Sequence, residues 1–396
     1  MDFRTLGVIV VEDHDFQRKV AVSFLGQMGV TKVLHASGGR DALDQISAAP
    51  WPVDVAICDL DMPGMDGMEF IRHLAEGKLV GAIILLSGLE SQLISSVESM
   101  ASFQGMTVLG TIEKPVSPQK ISNLLAKFES DTGLRQSEPP AMRADEIDAG
   151  LKAGEFVAYF QPKVDFKTLE LVGFEALARW NHPEKGILPP ASFIQMAEKS
   201  GLIDRITTRM IEVSLKQLKD WLDQGFETGV AINLSLSYLG SQGVADQISA
   251  EAQRFGISPK AITLEVTESL VTSDLGHVLE NLARLRMRGF DISIDDYGTG
   301  FSSMQQLSRI PFTELKIDQS FVTGATSRPN MRVILESSLQ LSQKLGLRCV
   351  AEGIEKDDEW ALLKSLGCDI AQGYFIAWPM PGEAVMEWHQ AWSGGK

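Results

Sequence analysis

Read by where its apolar side chains fall, the chain divides into two stretches of alternating strand-like and helix-like pattern. In residues 1–128 the apolar runs LGVIVVEDHD, VLHA, DVAICDLDMPGMDG and AIILLSG are short and bounded by polar or Gly-rich segments. Between them lie FQRKVAVSFLGQMG and SGGRDALDQISAA, where apolar residues recur at helical spacing. This alternation predicts a doubly wound parallel sheet covered by helices on both faces. Residues 129–145, ESDTGLRQSEPPAMRAD, are polar and broken by Pro139 and Pro140, which predicts a linker. From 146 to 396 strands and amphipathic helices alternate again, and about 250 residues of that pattern is the ordinary length of a closed (β/α)8 barrel.

Both architectures gather their chemistry at the carboxyl ends of strands. In the first stretch those ends carry Glu12 and Asp13, then Asp59, then Ser87, with Lys114 just before Pro115. Three acids converging on one sheet edge repel each other unless a divalent cation lies between them, and one Mg²⁺ suits such oxygen ligands. A hydroxyl from Ser87 and an ammonium from Lys114 complete a site for a phosphoryl group on Asp59.

In the second stretch the strand-like segments carry Gln161 (FVAYFQPKV), Glu175 and Arg179 (LVGFEALARW), Asn233 (GVAINLS), and Glu265 and Glu268 (AITLEVTES). They continue with Asp295 and Asp296 (DISIDD), Lys316 and Asp318 (ELKIDQSF), Glu352 and Glu355 (RCVAEGIE) and Gln372 (DIAQGYFIA). Steps of 32, 30, 21, 36 and 20 residues separate Asn233, Glu265, Asp295, Lys316, Glu352 and Gln372, each with room for one helix and its loops. A barrel would bring them to one rim. Unpaired acids in such a cluster would neutralise, so bound cations are expected. Oxygen ligands with one amide and no Cys or His point to Mg²⁺ or Mn²⁺. Neighbouring side chains of a strand point to opposite faces, so the pair Asp295–Asp296 suits two ions better than a purely structural role. Arg179 and Lys316 supply the positive charge an anionic phosphodiester needs.

Composition narrows the partners. A net charge of −16, from 36 Lys and Arg against 52 Asp and Glu, argues against coating DNA or an anionic membrane. No apolar run approaches the ~20 residues of a membrane helix, and no signal-peptide pattern opens the chain, so a soluble, cytoplasmic protein is expected. Cys58, Cys349 and Cys368 lie in apolar runs without CxxC spacing and read as reduced core residues. Trp180, Trp221 and Trp378 read as packing residues.

The acidic pair, DxxMPxMDG, the Ser before Gly and the KP of residues 1–128 together resemble a response-regulator receiver domain, a doubly wound, flavodoxin-like fold. The resemblance implies that Asp59 accepts a phosphoryl group from a sensor histidine kinase, that Glu12 and Asp13 hold Mg²⁺, and that Ser87 and Lys114 contact the phosphoryl group. Receivers usually carry Tyr or Phe three residues before that Lys. Here Thr111 stands there, so the acceptor chemistry is kept and the usual aromatic readout is not.

In the same way EALAR, NLS, EVTE, DDYGTGFSS, KID, AEGIE and QGY, in this order, resemble the EAL family of cyclic-di-GMP phosphodiesterases, with a TIM-like barrel. That likeness implies hydrolysis of cyclic di-GMP to linear pGpG under control of the receiver. Glu175, Asn233, Glu265 and Asp295 would hold one metal and Asp296 the second. Lys316 and Glu352 would orient or deprotonate the attacking water, Gln161, Arg179 and Gln372 would lie at the substrate, and Glu268 would anchor the loop after the acid pair, near a contact of a homo-oligomer. A catalytically silent cyclic-di-GMP sensor, acting through protein contacts, is the alternative.

Overall fold

The computed structural model describes residues 3–88, 94, 97–98, 100–101, 104–134, 142–267, 275–298, 307 and 309–393. It divides into two compact units, Met1–Glu138 and Pro139–Lys396.

Five parallel strands form the first unit's sheet: β1 (Gly7–Val11), β2 (Lys32–Ala36), β3 (Val55–Asp59), β4 (Ala82–Ser87) and β5 (Thr107–Glu113), in the order β2-β1-β3-β4-β5. Every residue of β1, β3 and β4 is buried, because helices cover both faces, and so these strands read as unbroken apolar runs. Alternate residues feed two cores: Ile9, Ala56 and Ile83 on one face, Val8, Val55 and Ile84 on the other. Helix Gly67–Gly77 shows how sequence sets the cover. The Asp66 side chain caps it by accepting from the Glu69 N–H at 2.8 Å, and Phe70, Ile71 and Leu74 form its buried stripe. The strand order reverses between β1 and β3, which brings the ends of those two strands to one crevice.

The second unit's barrel is built from β6 (Phe156–Asp165), β7 (Leu171–His182), β9 (Val230–Asn233), β10 (Ile262–Thr267), β11 (Asp291–Tyr297), β12 (Glu314–Ile317), β13 (Arg348–Ala351) and β14 (Ile370–Gln372). It closes through β6, which pairs with both β7 and β14, while β8 (Gly186–Leu188) and β15 (Met380–Pro381) extend its edges. All barrel neighbours are parallel except those of β6, which runs antiparallel to β7 and β14. The cause is local. Only residues 166–170 join β6 to β7, far fewer than the dozen or so a parallel crossover needs. Asp165 closes that hairpin by accepting from the N–H groups of Lys167 (2.7 Å) and Thr168 (2.8 Å).

Outside the barrel, helix Ile203–Asp223 buries Ile203, Ile206, Met210, Ile211, Leu215, Leu218 and Trp221, a stripe at three- and four-residue spacing. Each such large apolar side chain contributes roughly 1.5–3 kcal/mol on burial. Leu215→Ala would open a cavity in this layer at a cost of about 2–5 kcal/mol. Cys58, Cys349 and Cys368 are buried and free. No described helix is long and apolar enough to cross a membrane.

Candidate active site

Lys316, 1% exposed on β12, is the hub of the barrel's rim. Its Nζ lies 2.6 Å from Glu352, 2.9 Å from Glu265, 2.9 Å from Asp295 and 3.3 Å from Glu175. Asn233 donates to Glu175 at 2.9 Å and to Glu265 at 3.4 Å, and Gln372 donates to Glu175 at 2.6 Å and to the Gln161 carbonyl at 3.1 Å. Seven of these groups come from seven different strands and Glu352 from the residue just after β13, and they meet because each sits toward the same end of the barrel. Burial works to raise the Glu175 pKa, but Lys316, Gln372, Lys163 and Asn233 carry it down to about 2. Glu265, fully buried and facing Glu175, is instead pushed up to about 8. Burial also lifts Glu352 well above the carboxylate range against the pull of Lys316, whose own pKa the surrounding acids raise despite its burial.

The acid pair at the end of β11 does not alternate. A register shift between Ile294 and Tyr297 bulges the strand, and Asp296 takes φ of 56°, in the left-handed region that non-glycine residues seldom adopt. Both carboxylates then line one cavity of about 250 Å³ together with Glu175, Lys316, Asp318, Glu352, Glu355 and Gln372. Burial, and then the neighbouring Asp295, push Asp296 up to about 6. Ligand atoms of Glu175, Glu265 and Asp295, and likewise of Asp295, Asp296 and Glu352, lie within 4.8 Å of one another. Glu175, Glu265, Asp295, Asp296 and Glu352 thus crowd around Lys316 at this end of the barrel, a surplus of carboxylates that suits divalent cations. The all-oxygen donor set fits Mg²⁺ or Mn²⁺, and the buried Gln372 Oε1 has no partner among the described residues.

Arg179, on β7 four residues beyond Glu175, is half-buried, donates to the Ala178 carbonyl at 2.7 Å and lies 5.6 Å from the centre of the Tyr159 ring. Tyr374 lines the cavity and stacks on Trp378 with ring centres 3.7 Å apart and planes 13° apart. Trp180 and Trp221 are buried as the sequence suggests, whereas Trp378 is 66% exposed and stacks on the Tyr374 ring.

At the first unit's sheet edge, Lys114 Nζ bridges Asp59 (2.6 Å) and Glu12 (2.9 Å). Ligand atoms of Glu12, Asp13 and Asp59 lie within 4.8 Å of one another, with Glu12, Asp59 and Ser87 buried and Asp13 exposed. Burial raises the Glu12 pKa, opposed by Lys114. Thr111 donates from Oγ1 to Glu98 Oε1 at 2.7 Å.

Residues 144–379 match the EAL domain model, and residues 8–126 match the response regulator receiver domain model. This chain belongs to the EAL family. Its two-domain architecture is shared with the cyclic di-GMP phosphodiesterase RocR of Pseudomonas aeruginosa, 37% identical over 97% of this chain and 98% of that protein. Among solved structures, the EAL barrel resembles the MucR phosphodiesterase in complex with c-di-GMP (36% identity, TM-score 0.58, covering 61% of this chain and 98% of that one). It also resembles the EAL enzyme Bd1971 bound to cAMP and cyclic di-GMP (28% identity, TM-score 0.59, covering 68% and 74%).

In this EAL chain the structure brings together Gln161, Glu175, Asn233, Glu265, Asp295, Asp296, Lys316, Glu352 and Gln372, and separately Glu12, Asp13, Asp59 and Lys114. Glu268 and most of the loop after Asp296 lie outside the described residues. Sequence reading passed over two features of the EAL barrel. One is the ledge that Tyr374 makes with Trp378, a residue the sequence reads as packing. The other is a buried ion pair beneath the rim, Lys163 with Glu314. A charged residue inside an otherwise apolar strand, as in FQPKV and TELKI, is the signal that could have found the pair.

Proposed function

We propose that this chain hydrolyses cyclic di-GMP to linear pGpG in its EAL barrel and that phosphorylation of Asp59 in its receiver controls the reaction. The observation that carries the reading is the Lys316 hub, which gathers Glu175, Glu265, Asp295 and Glu352 into one buried cluster beside Asp296. The resemblance to RocR over nearly the whole of both chains supports the same activity.

Glu175, Asn233, Glu265 and Asp295 would hold one divalent ion, and Asp296, with Asp295 or Glu352, a second. When bound, such ions polarise the phosphoryl oxygens and make a water nucleophilic near neutral pH. The chain's own residues do the rest. Glu352, whose pKa burial raises, takes a proton from the attacking water, and Lys316 at 2.6 Å fixes the orientation of its carboxylate. Water adds to one phosphorus as the bond to the 3′ oxygen breaks, and that oxygen takes up a proton from solvent water. Arg179 neutralises the phosphodiester at the mouth, and a guanine face extends the Tyr374–Trp378 stack. Gln161 is held against the Ala377 carbonyl at 3.2 Å and reaches the substrate from β6.

In the receiver, Lys114 pairs with the acyl phosphate formed on Asp59, Ser87 donates to its oxygens, and Glu12 and Asp13 hold Mg²⁺. A sensor histidine kinase supplies the phosphoryl group. Incubating the purified chain with cyclic di-GMP and Mg²⁺ or Mn²⁺ and identifying the product tests the reading: linear pGpG supports it, and unchanged substrate refutes it.

A further inference from the structure

Beneath the Lys316 hub a second layer of charge runs down the barrel's interior. Strand β6 pairs Gln161 with Glu175 and Lys163 with Gly173, so its antiparallel course carries Lys163 one layer below the rim. On β12, Glu314 stands two residues before Lys316 and faces the same interior. Lys163 Nζ lies 3.3 Å from Glu314 Oε1 and 3.4 Å from Glu265 Oε1. Glu314 is approached in turn by Arg348 at 3.4 Å. Signs therefore alternate from Arg348 through Glu314, Lys163 and Glu265 to Lys316.

Glu265 is the junction of the two layers, and its oxygens divide the work. Oε1 is taken from below by Lys163, while Oε2 meets Asn233 and Lys316 above. With no solvent exposure, the carboxylate has these partners among the described residues to set its rotation. We propose that Lys163, held by Glu314, is a positioning residue: it pins one oxygen of Glu265 and so aims the other at the metal cluster, although Lys163 itself does not line the cavity. The inference rests on the metal-site reading given above. The rival account is that Lys163 and Glu314 merely neutralise each other inside the barrel. Buried pairs of that kind can be replaced together with little loss of stability, whereas removing one partner is costly.

That difference sets the experiment, which reads Mn²⁺ binding by calorimetry on the full chain without substrate, beside circular dichroism and thermal melting. Lys163→Met/Glu314→Gln removes one charge of each sign and leaves the net charge unchanged. If Lys163 positions Glu265, this double variant keeps the native spectrum and binds Mn²⁺ roughly tenfold or more weakly, the usual effect of losing a group that orients a metal ligand. Lys163→Gln/Glu314→Gln, which returns an N–H donor to Glu265, recovers part of the loss. Native affinity in the folded Met/Gln variant overturns the proposal, and so does failure of both double variants to fold, since the pair would then be framework alone. Absence of Mn²⁺ binding by the unaltered chain would instead overturn the metal-site reading.

Discussion

Asp296 shares a cavity with Asp295, its neighbour in sequence, because the chain bulges between Ile294 and Tyr297 and Asp296 sits at φ of 56°. A regular strand would have sent the two carboxylates to opposite faces. Asn is among the residues that tolerate the left-handed region, so Asp296→Asn retains the bulge while removing the charge. The variant is expected to melt within a few degrees of the native chain and to lose hydrolysis by at least about 100-fold, equivalent to about 2.7 kcal/mol of transition-state stabilisation. Steady-state kinetics beside thermal melting check this.

Stripped of divalent ions, the chain should become less stable as the pH rises from 6 to 8. Glu265 and Asp296 have folded-state pKa values raised to about 8 and about 6, above those of the unfolded chain. The folded form therefore holds protons that the unfolded form has released. That stabilising contribution is complete below the ordinary carboxylate range and is lost as pH climbs through the raised values. Ions compete with those protons for the same oxygens, so saturating Mg²⁺ should flatten the slope. Melting curves from pH 6 to 8 with and without Mg²⁺ test it, and a melting temperature that rises with pH in the metal-free chain would contradict it.

Trp378 and Tyr374 form an exposed aromatic ledge at the cavity mouth. Stacking of a base on an aromatic side chain is worth about 1–3 kcal/mol, so Trp378→Ala should raise KM roughly 5-fold to 150-fold. Because the ledge touches no reacting atom, kcat should stay within about twofold. Trp378→Phe should restore much of the loss.

Lys114 bridges Asp59 and Glu12 in the receiver, the arrangement an acyl phosphate on Asp59 requires. Treated with acetyl phosphate and Mg²⁺, the native chain should gain the mass of one phosphoryl group, and Asp59→Asn should gain none. Turnover of cyclic di-GMP before and after treatment reads out the control of the barrel; equal rates would remove the regulatory part of the proposal while leaving the hydrolysis.

Much of this was legible in the sequence because strand ends in both architectures face one edge. Asn233, Glu265, Asp295, Lys316, Glu352 and Gln372 each stand at or beside the carboxyl end of an apolar strand, and the barrel brings them together as that position dictates. What periodicity could not convey depends on geometry between strands. The antiparallel course of β6 follows from a five-residue hairpin, and it alone carries Lys163 beneath Glu265. The bulge that unites Asp295 and Asp296 is a matter of register with β12, and the exposure of Trp378 follows from the path of the segment after β14.

Glu352, bonded to Lys316 at 2.6 Å, carries the central claim. The deciding measurement is hydrolysis of cyclic di-GMP by the native chain and by Glu352→Gln, with product identified and nucleotide binding measured in parallel. The account predicts linear pGpG from the native chain, turnover lowered by at least about 100-fold in the variant, and binding retained by both. Tight binding with no turnover by the native chain, or equal turnover by the two, would contradict it.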